Sequence, residues 1–143
     1  MEIRKALKKD IQEIAEIFHI EAAKKPYLQK RTLLESIKAI DSHFKKANIY
    51  VSIIENKIIG FIIVRLRYNR KDAYIDEFWL KSKYQRKGIG KSIMNFIENE
   101  YKKEGVGSVT LIAGKKPGAA FDFYKKLKFK VVDNLALMKK TLN

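Results

Sequence analysis

The sequence predicts an α/β (α+β) fold, a single domain over residues 1–143 in which about four helices pack on a mixed sheet of about seven strands. Two observations lead there. Runs rich in β-branched and aromatic residues alternate along the chain with apolar stripes at helical spacing, so strands and helices are interleaved. Three of the strand-like runs follow one another through short turns, which calls for antiparallel pairing in the middle of the sheet. The length fits one domain with a real core.

Taken in order, "EIRKAL" opens as a short strand. Asp10 followed by Glu13 gives a capping-box start to a helix carrying Ile11, Ile14, Ala15 and Phe18 on one face. Thr32 and Glu35 repeat that start signal, and Leu33, Ile37, Ile40 and Phe44 form the second stripe. "KKPYLQK" is the loop between these helices. "IYVSIIE" and "IIGFIIVRLRY" make a hairpin around Asn56 and Lys57, and "DAYIDEFWL" is a third consecutive strand. Ile89, Ile93, Phe96, Ile97 and Tyr101 share a helical face that Gly105 and Gly107 terminate. "SVTLIA" returns to strand. After "KKPG", Ala120, Phe123, Tyr124 and Leu127 predict a short helix, and "FKVVD" and "LALMKKTL" predict two closing strands.

Composition narrows the function. The chain has no cysteine and only two histidines, His19 and His43, which removes disulfides and thiolate chemistry and leaves no metal site to expect. Both histidines fall towards the ends of predicted helices, where an imidazole serves the last carbonyls better than it serves as a base. No apolar run approaches a membrane span, and "MEIRKALKKD" lacks the apolar core of a signal peptide, so no membrane partner and a cytoplasmic location are expected. The 31 Lys and Arg against 16 Asp and Glu give a net charge of +15, which welcomes a polyanion. The cations are spread along the whole chain, so a nucleic-acid surface is the less favoured explanation of that charge.

The most informative stretch is "YQRKGIGKS", where Gly88 and Gly90 stand between a strand and a helix. Glycine lets a ligand approach the backbone, and the first helical turn offers unpaired N–H groups at the positive end of the dipole. Two readings stay open on these residues alone, an anion site or a plain connection. The spacing is not that of a Walker loop or of a GxGxxG fingerprint.

"QRKGIG" matches the Q/R-x-x-G-x-G/A signature of the GNAT acetyltransferase superfamily, and "AAFDFYKKLKF" resembles its A-x-x-x-x-Y-x-x-x-x-F late helix, with Ala120, Tyr124 and Phe129 in register. "IRKALKKDIQEIAEIF" resembles the first strand and helix, so the likeness runs over nearly the full chain. It implies a twisted sheet splayed between strands four and five, and an enzyme that transfers acetyl from acetyl-CoA to a primary amine by direct attack. By the resemblance, Gln85 and the backbone of Arg86, Lys87, Gly88, Ile89, Gly90 and Lys91 hold the pyrophosphate. Phe78, Trp79 and Leu80 line the pantetheine arm, and Tyr124 protonates the departing thiolate. For the base, Glu77 and Asp76 are the candidates; strand alternation lets only one of them face the slot, and Glu77 is preferred. Trp79 serves either core or acceptor slot, and Tyr27, Tyr68 and Tyr74 are equal candidates for edging a substrate cleft.

Three positions depart from the family pattern. Pro117 stands where Asn is usual, Lys128 where Gly is usual, and Ile112 aligns with the strand-five glutamate of the ribosomal-protein N-terminal acetyltransferases that "YQRKGIG" otherwise resembles. The alternatives are a catalytically silent acyl-CoA-binding module and, behind it, a basic nucleic-acid-binding protein. The assembly is open, a homodimer included.

Overall fold

In the computed structural model, which describes residues 1–114, 118–133 and 136–142, five strands form one sheet. They are β1 (Glu2–Lys5), β2 (Asn48–Ile54), β3 (Lys57–Arg67), β4 (Asp72–Leu80) and β5 (Ser108–Thr110), ordered β1-β2-β3-β4-β5. The first four are antiparallel, and β5 lies parallel to β4. That parallel ladder ends at Tyr74↔Thr110 while β4 runs on to Leu80. Its second half therefore leaves its partner, as a splayed sheet requires. The unit containing these strands is Met1–Ile112, and residues from Ala113 onward form a second unit.

β3 is the central strand, and its run "IIGFIIV" is buried throughout because both faces are covered. On one face Ile49, Val51, Ile58, Phe61 and Ile63 pack with Ile14, Ile17 and Phe18 of helix α1 (Ile11–Ala22) and Ile40 of α2 (Leu33–His43). On the other, α3 (Ile89–Lys103) buries Ile93, Met94, Ile97 and Tyr101, with Tyr101 edge-on to Tyr50. Among the described residues no helix is long and apolar enough to cross a membrane.

Local signals explain the element ends. Glu55 and Asn56 both have positive φ, the conformation of a two-residue hairpin turn, so the turn sits one residue earlier than the sequence suggested. Thr32 Oγ1 accepts from the Glu35 N–H at 3.1 Å, and the Glu35 carboxylate faces the Thr32 N–H at 3.4 Å. The expected Asp10–Glu13 box is not made. Arg4 takes the Asp10 carboxylate at 2.8 and 3.2 Å together with the Leu7 N–H at 2.7 Å, and Glu13 accepts from the Ile58 N–H instead. α3 ends in a Schellman motif at Gly105 (φ +84), with Val106 N–H bonding the Tyr101 carbonyl.

In the second unit α4 (Ala119–Lys126) ends the same way, but with Lys128 in the left-handed position at φ +73. Phe129 N–H bonds the Tyr124 carbonyl and Lys128 N–H bonds the Lys125 carbonyl. The departure at Lys128 is thus a conformational one. Pro117 lies outside the described residues.

Two expectations are corrected. The sheet has five strands and not about seven, since residues 129–133 and 136–142 form no strand. A β-rich run becomes a strand only against a partner that covers it, and Val132 and Met138 are 86% and 88% exposed. β5 covers only the start of "SVTLIA", and Ile112 is exposed.

Candidate active site

A bulge in β4 sets the site. Ile63 faces Glu77 and Val64 faces Ile75, so Asp76 is the extra residue and the alternation that would have separated Asp76 from Glu77 is broken there. Pairing distinguishes the two carboxylates. Arg65 grips Asp76 through Nε at 2.6 Å and Nη2 at 2.9 Å, which consumes it in a bidentate ion pair. Glu77 accepts from the Trp79 indole N–H at 2.6 Å. Burial pushes the Glu77 carboxyl above the usual carboxylate range, while the Trp79 bond and the charge of Arg31 pull the other way. A carboxyl tuned in this direction is a better proton acceptor than an exposed one.

Trp79 stands two residues further along the same face and ties Glu77 to α1 and the α1–α2 loop. Its ring lies 6.1 Å from Phe18 and 4.9 Å, edge-on, from Tyr27. The guanidinium of Arg31 stacks on Phe18 at 4.0 Å. The three candidate tyrosines are thereby sorted. Tyr27 is in this cluster, whereas Tyr68 and Tyr74 stack with Arg67 at the far end of β4.

At its C-terminal end β4 is held close to β3 because residue 60 is glycine. A Cβ there would come within 2.7 Å of Leu80 Cδ2 and 2.8 Å of the Trp79 carbonyl. Lys81 N–H bonds the Ile59 carbonyl, and antiparallel alternation then turns the peptide groups of Phe78 and Leu80 away from β3. The Gln85 amide donates to the Leu80 carbonyl at 2.9 Å, closing the turn that follows. That turn is also fastened to α1. Buried Glu21 accepts from Ser82 N–H at 3.0 Å, from Ser82 Oγ and from Lys24.

Behind this turn, Arg86 (φ +59) and Gly88 (φ +80) bend the chain into α3. Gly88 is the N-cap, and the first helical bond runs from the Ser92 N–H to its carbonyl. Helix geometry leaves the N–H groups of Gly88, Ile89, Gly90 and Lys91 without a carbonyl four residues back. A Cβ built on Gly88 meets nothing within 4 Å, so the space in front of the turn is open. Arg86, Lys87 and Lys91 are exposed around it. Open space, unpaired amides and cations together suit a pyrophosphate.

The acetyltransferase (GNAT) family model matches residues 11–129. The chain belongs to the GNAT acetyltransferase family. A curated spermidine N(1)-acetyltransferase from Thermoplasma acidophilum is 33% identical over 79 residues, 55% of this chain and 48% of that protein, so the chain matches about half the length of that relative. A solved structure described as a possible acetyltransferase from Clostridium difficile 630 shares the fold with a TM-score of 0.82 and 21% identity, covering 99% of this chain and 98% of the other. The paia N-acetyltransferase from Thermoplasma acidophilum, solved with coenzyme A, has a TM-score of 0.76 and 24% identity over 93% of this chain and 91% of its own.

Acetyl-CoA is the co-substrate of the GNAT family, and the turn at Gly88 fits a diphosphate on geometry alone. Among the described residues no group of three His, Cys, Asp or Glu side chains could hold a metal ion. The histidines lie elsewhere: His43 is in the last turn of α2, where burial pushes its imidazole down, and His19 is in the last turn of α1. In the second unit, Tyr124 packs edge-on against Phe123 at 5.1 Å and Phe129 at 5.5 Å.

Sequence reading missed Gly60, Glu21, Ser82 and Arg31. Glu21 carried a signal, for it continues the buried stripe of α1 seven residues after Ile14 and three after Phe18. Arg31 carried none, because a cation in a loop looks like any other in a chain of net charge +15.

Proposed function

We propose that this single domain of 143 residues transfers the acetyl group of acetyl-CoA to a primary amine by direct attack within a ternary complex. The observation that carries the proposal is one strand end, where the half-buried carboxylate of Glu77, held by Trp79, is followed by the left-handed Gly88 at the start of α3. Gln85 fixes the turn, and the amides of residues 86–91 bind the pyrophosphate. Phe78, Trp79 and Leu80 run beside the pantetheine arm. The amine nitrogen attacks the thioester carbon, Glu77 takes the proton the nitrogen sheds, and the C–S bond breaks as the amide forms. The leaving thiolate receives its proton from Tyr124, a role that rests on the tyrosine's place in the late-helix motif.

The acceptor is an amine of low pKa, above all the free amino terminus of a neutral or acidic peptide. An α-amine with pKa of about 7.7 to 8.0 is partly neutral at pH 7, whereas a lysine at about 10.4 is almost wholly protonated. Ile112, exposed, supplies no second carboxylate to help. Spermidine, the amine for which the Thermoplasma relative is named, is the competing acceptor class. An acceptor panel followed by thiol release at fixed ionic strength decides: peptides with a free amino terminus should give the highest kcat/KM. Coenzyme binding with no thiol release for any amine would leave a silent acyl-CoA-binding module.

A further inference from the structure

Arg31 lies in the aromatic cluster around Glu77, where its charge draws the Glu77 carboxyl down without an ion pair being formed among the described residues. Its guanidinium lies flat on Phe18 at 4.0 Å, Phe18 touches Trp79, and Trp79 holds Glu77. Nη2 donates to Gln29 Oε1 at 3.3 Å. Nη1 is buried and has no acceptor among the described residues, nor does any described carboxylate form an ion pair with Arg31. Buried donors in folded proteins are almost always satisfied, so such an orphan asks for an oxygen that the described residues do not supply.

We propose that Arg31 makes this acceptor site selective for an amine that also carries a carboxylate, the amine meeting Glu77 and the carboxylate meeting the guanidinium. The inference rests on the acetyltransferase reading and names its acceptor more narrowly. Guanidinium is planar and pairs with a carboxylate through parallel N–H bonds, and the Phe18 stack fixes its plane. Arg31 sits outside helix and strand, three residues after Leu28, a non-glycine residue held at φ +52. Such backbone recurs at ligand clamps. Nη1 is closed to water, so the ligand engages it through a local shift of this segment, whose exposed edge is Tyr27, 45% accessible and in contact with Trp79. A fixed cation beside Glu77 also opposes a polyamine, which would bring further positive charge into the same space.

Trp79 is the sole tryptophan of the chain, so its fluorescence reports on this cluster without need of turnover. The protein, saturated with coenzyme A, is titrated with dialanine and trialanine, each beside its C-terminal amide, and with spermidine. Acid and amide have nearly the same amine and differ in the carboxylate. The acids should give a saturable change with a Kd at least tenfold below that of the amides, and Arg31→Gln should erase that gap. Arg31→Lys, which keeps the charge but loses the planar fork, should recover only part of it. Equal affinity of acid and amide, an acid–amide gap that survives Arg31→Gln, no response to either acid, or spermidine as the tightest ligand would overturn the proposal. Arg31-dependent binding of acids without acetyl transfer would instead remove the enzyme reading and keep the pocket, and transfer to amines without an acid–amide difference would do the reverse.

Discussion

The Trp79 indole N–H donates to Glu77 Oε2 at 2.6 Å from two residues along the same strand. One oxygen of the carboxylate is thereby engaged, and its orientation is set by a ring that Phe18 and Tyr27 pack in turn. Glu77→Gln keeps the shape and removes the proposed base. It should lower kcat/KM by roughly 10² to 10³, with coenzyme affinity retained, as read by steady-state kinetics and calorimetry on the same preparation.

The pH dependence follows from the direction of the Glu77 shift. Burial raises its folded pKa, so the active, deprotonated form appears only above the ordinary glutamate value of about 4.3, and the acid limb of kcat/KM should lie above that value. For stability the sign is the opposite. A raised folded pKa favours the fold at low pH and loses that contribution as pH rises through it, so Glu77→Gln should melt no lower than the parent at pH 7.

Asp72 behaves in the other sense. Burial pushes its pKa up, but bonds from Ser108 at 2.7 Å, from Arg67 at 3.0 and 2.8 Å and from Thr110 at 2.8 Å outweigh that and hold it below the usual range. Its contribution is present above the unfolded value of about 3.9 and is lost as pH falls through the lower folded value. Asp72→Ala should cost roughly 2 to 3 kcal/mol in a denaturant titration at pH 7, because it unpins both strands that flank β4.

Lys128→Gly should stabilise the end of α4 by about 1 kcal/mol, since a left-handed lysine carries a steric cost that glycine lacks. Hydrogen exchange of the α4 amides is the direct readout, with slower exchange in the variant expected.

Much of the fold was legible because burial follows period. The α1, α2 and α3 stripes and the Thr32 cap formed where residue spacing put them, and the central hairpin formed with its turn one residue earlier. What failed depended on neighbours that spacing does not reveal. The runs after residue 128 had β-rich composition but form no strand among the described residues, and Asp10 was drawn from its helix by Arg4, a residue on another element. The bulge at Asp76 is a change of register between two strands, so no property of either strand alone announces it. The sharp turn ahead of α3 was legible, since its glycines answer to local backbone geometry, which Gly88 displays at φ +80. The pairing that separates Glu77 from Asp76 became visible only in the sheet.

Calorimetric titration of coenzyme A into Gly88→Val tests the central claim most directly. The new Cβ meets no protein atom within 4 Å, so the variant carries a backbone cost of about 1 to 2 kcal/mol from its positive φ but no packing clash, and circular dichroism can establish that it folds. A Kd raised at least tenfold in the folded variant is the result expected of a pyrophosphate cradle at this turn. An affinity equal to that of the parent would contradict it and would move the coenzyme, and with it the acetyl-transfer site, away from the start of α3.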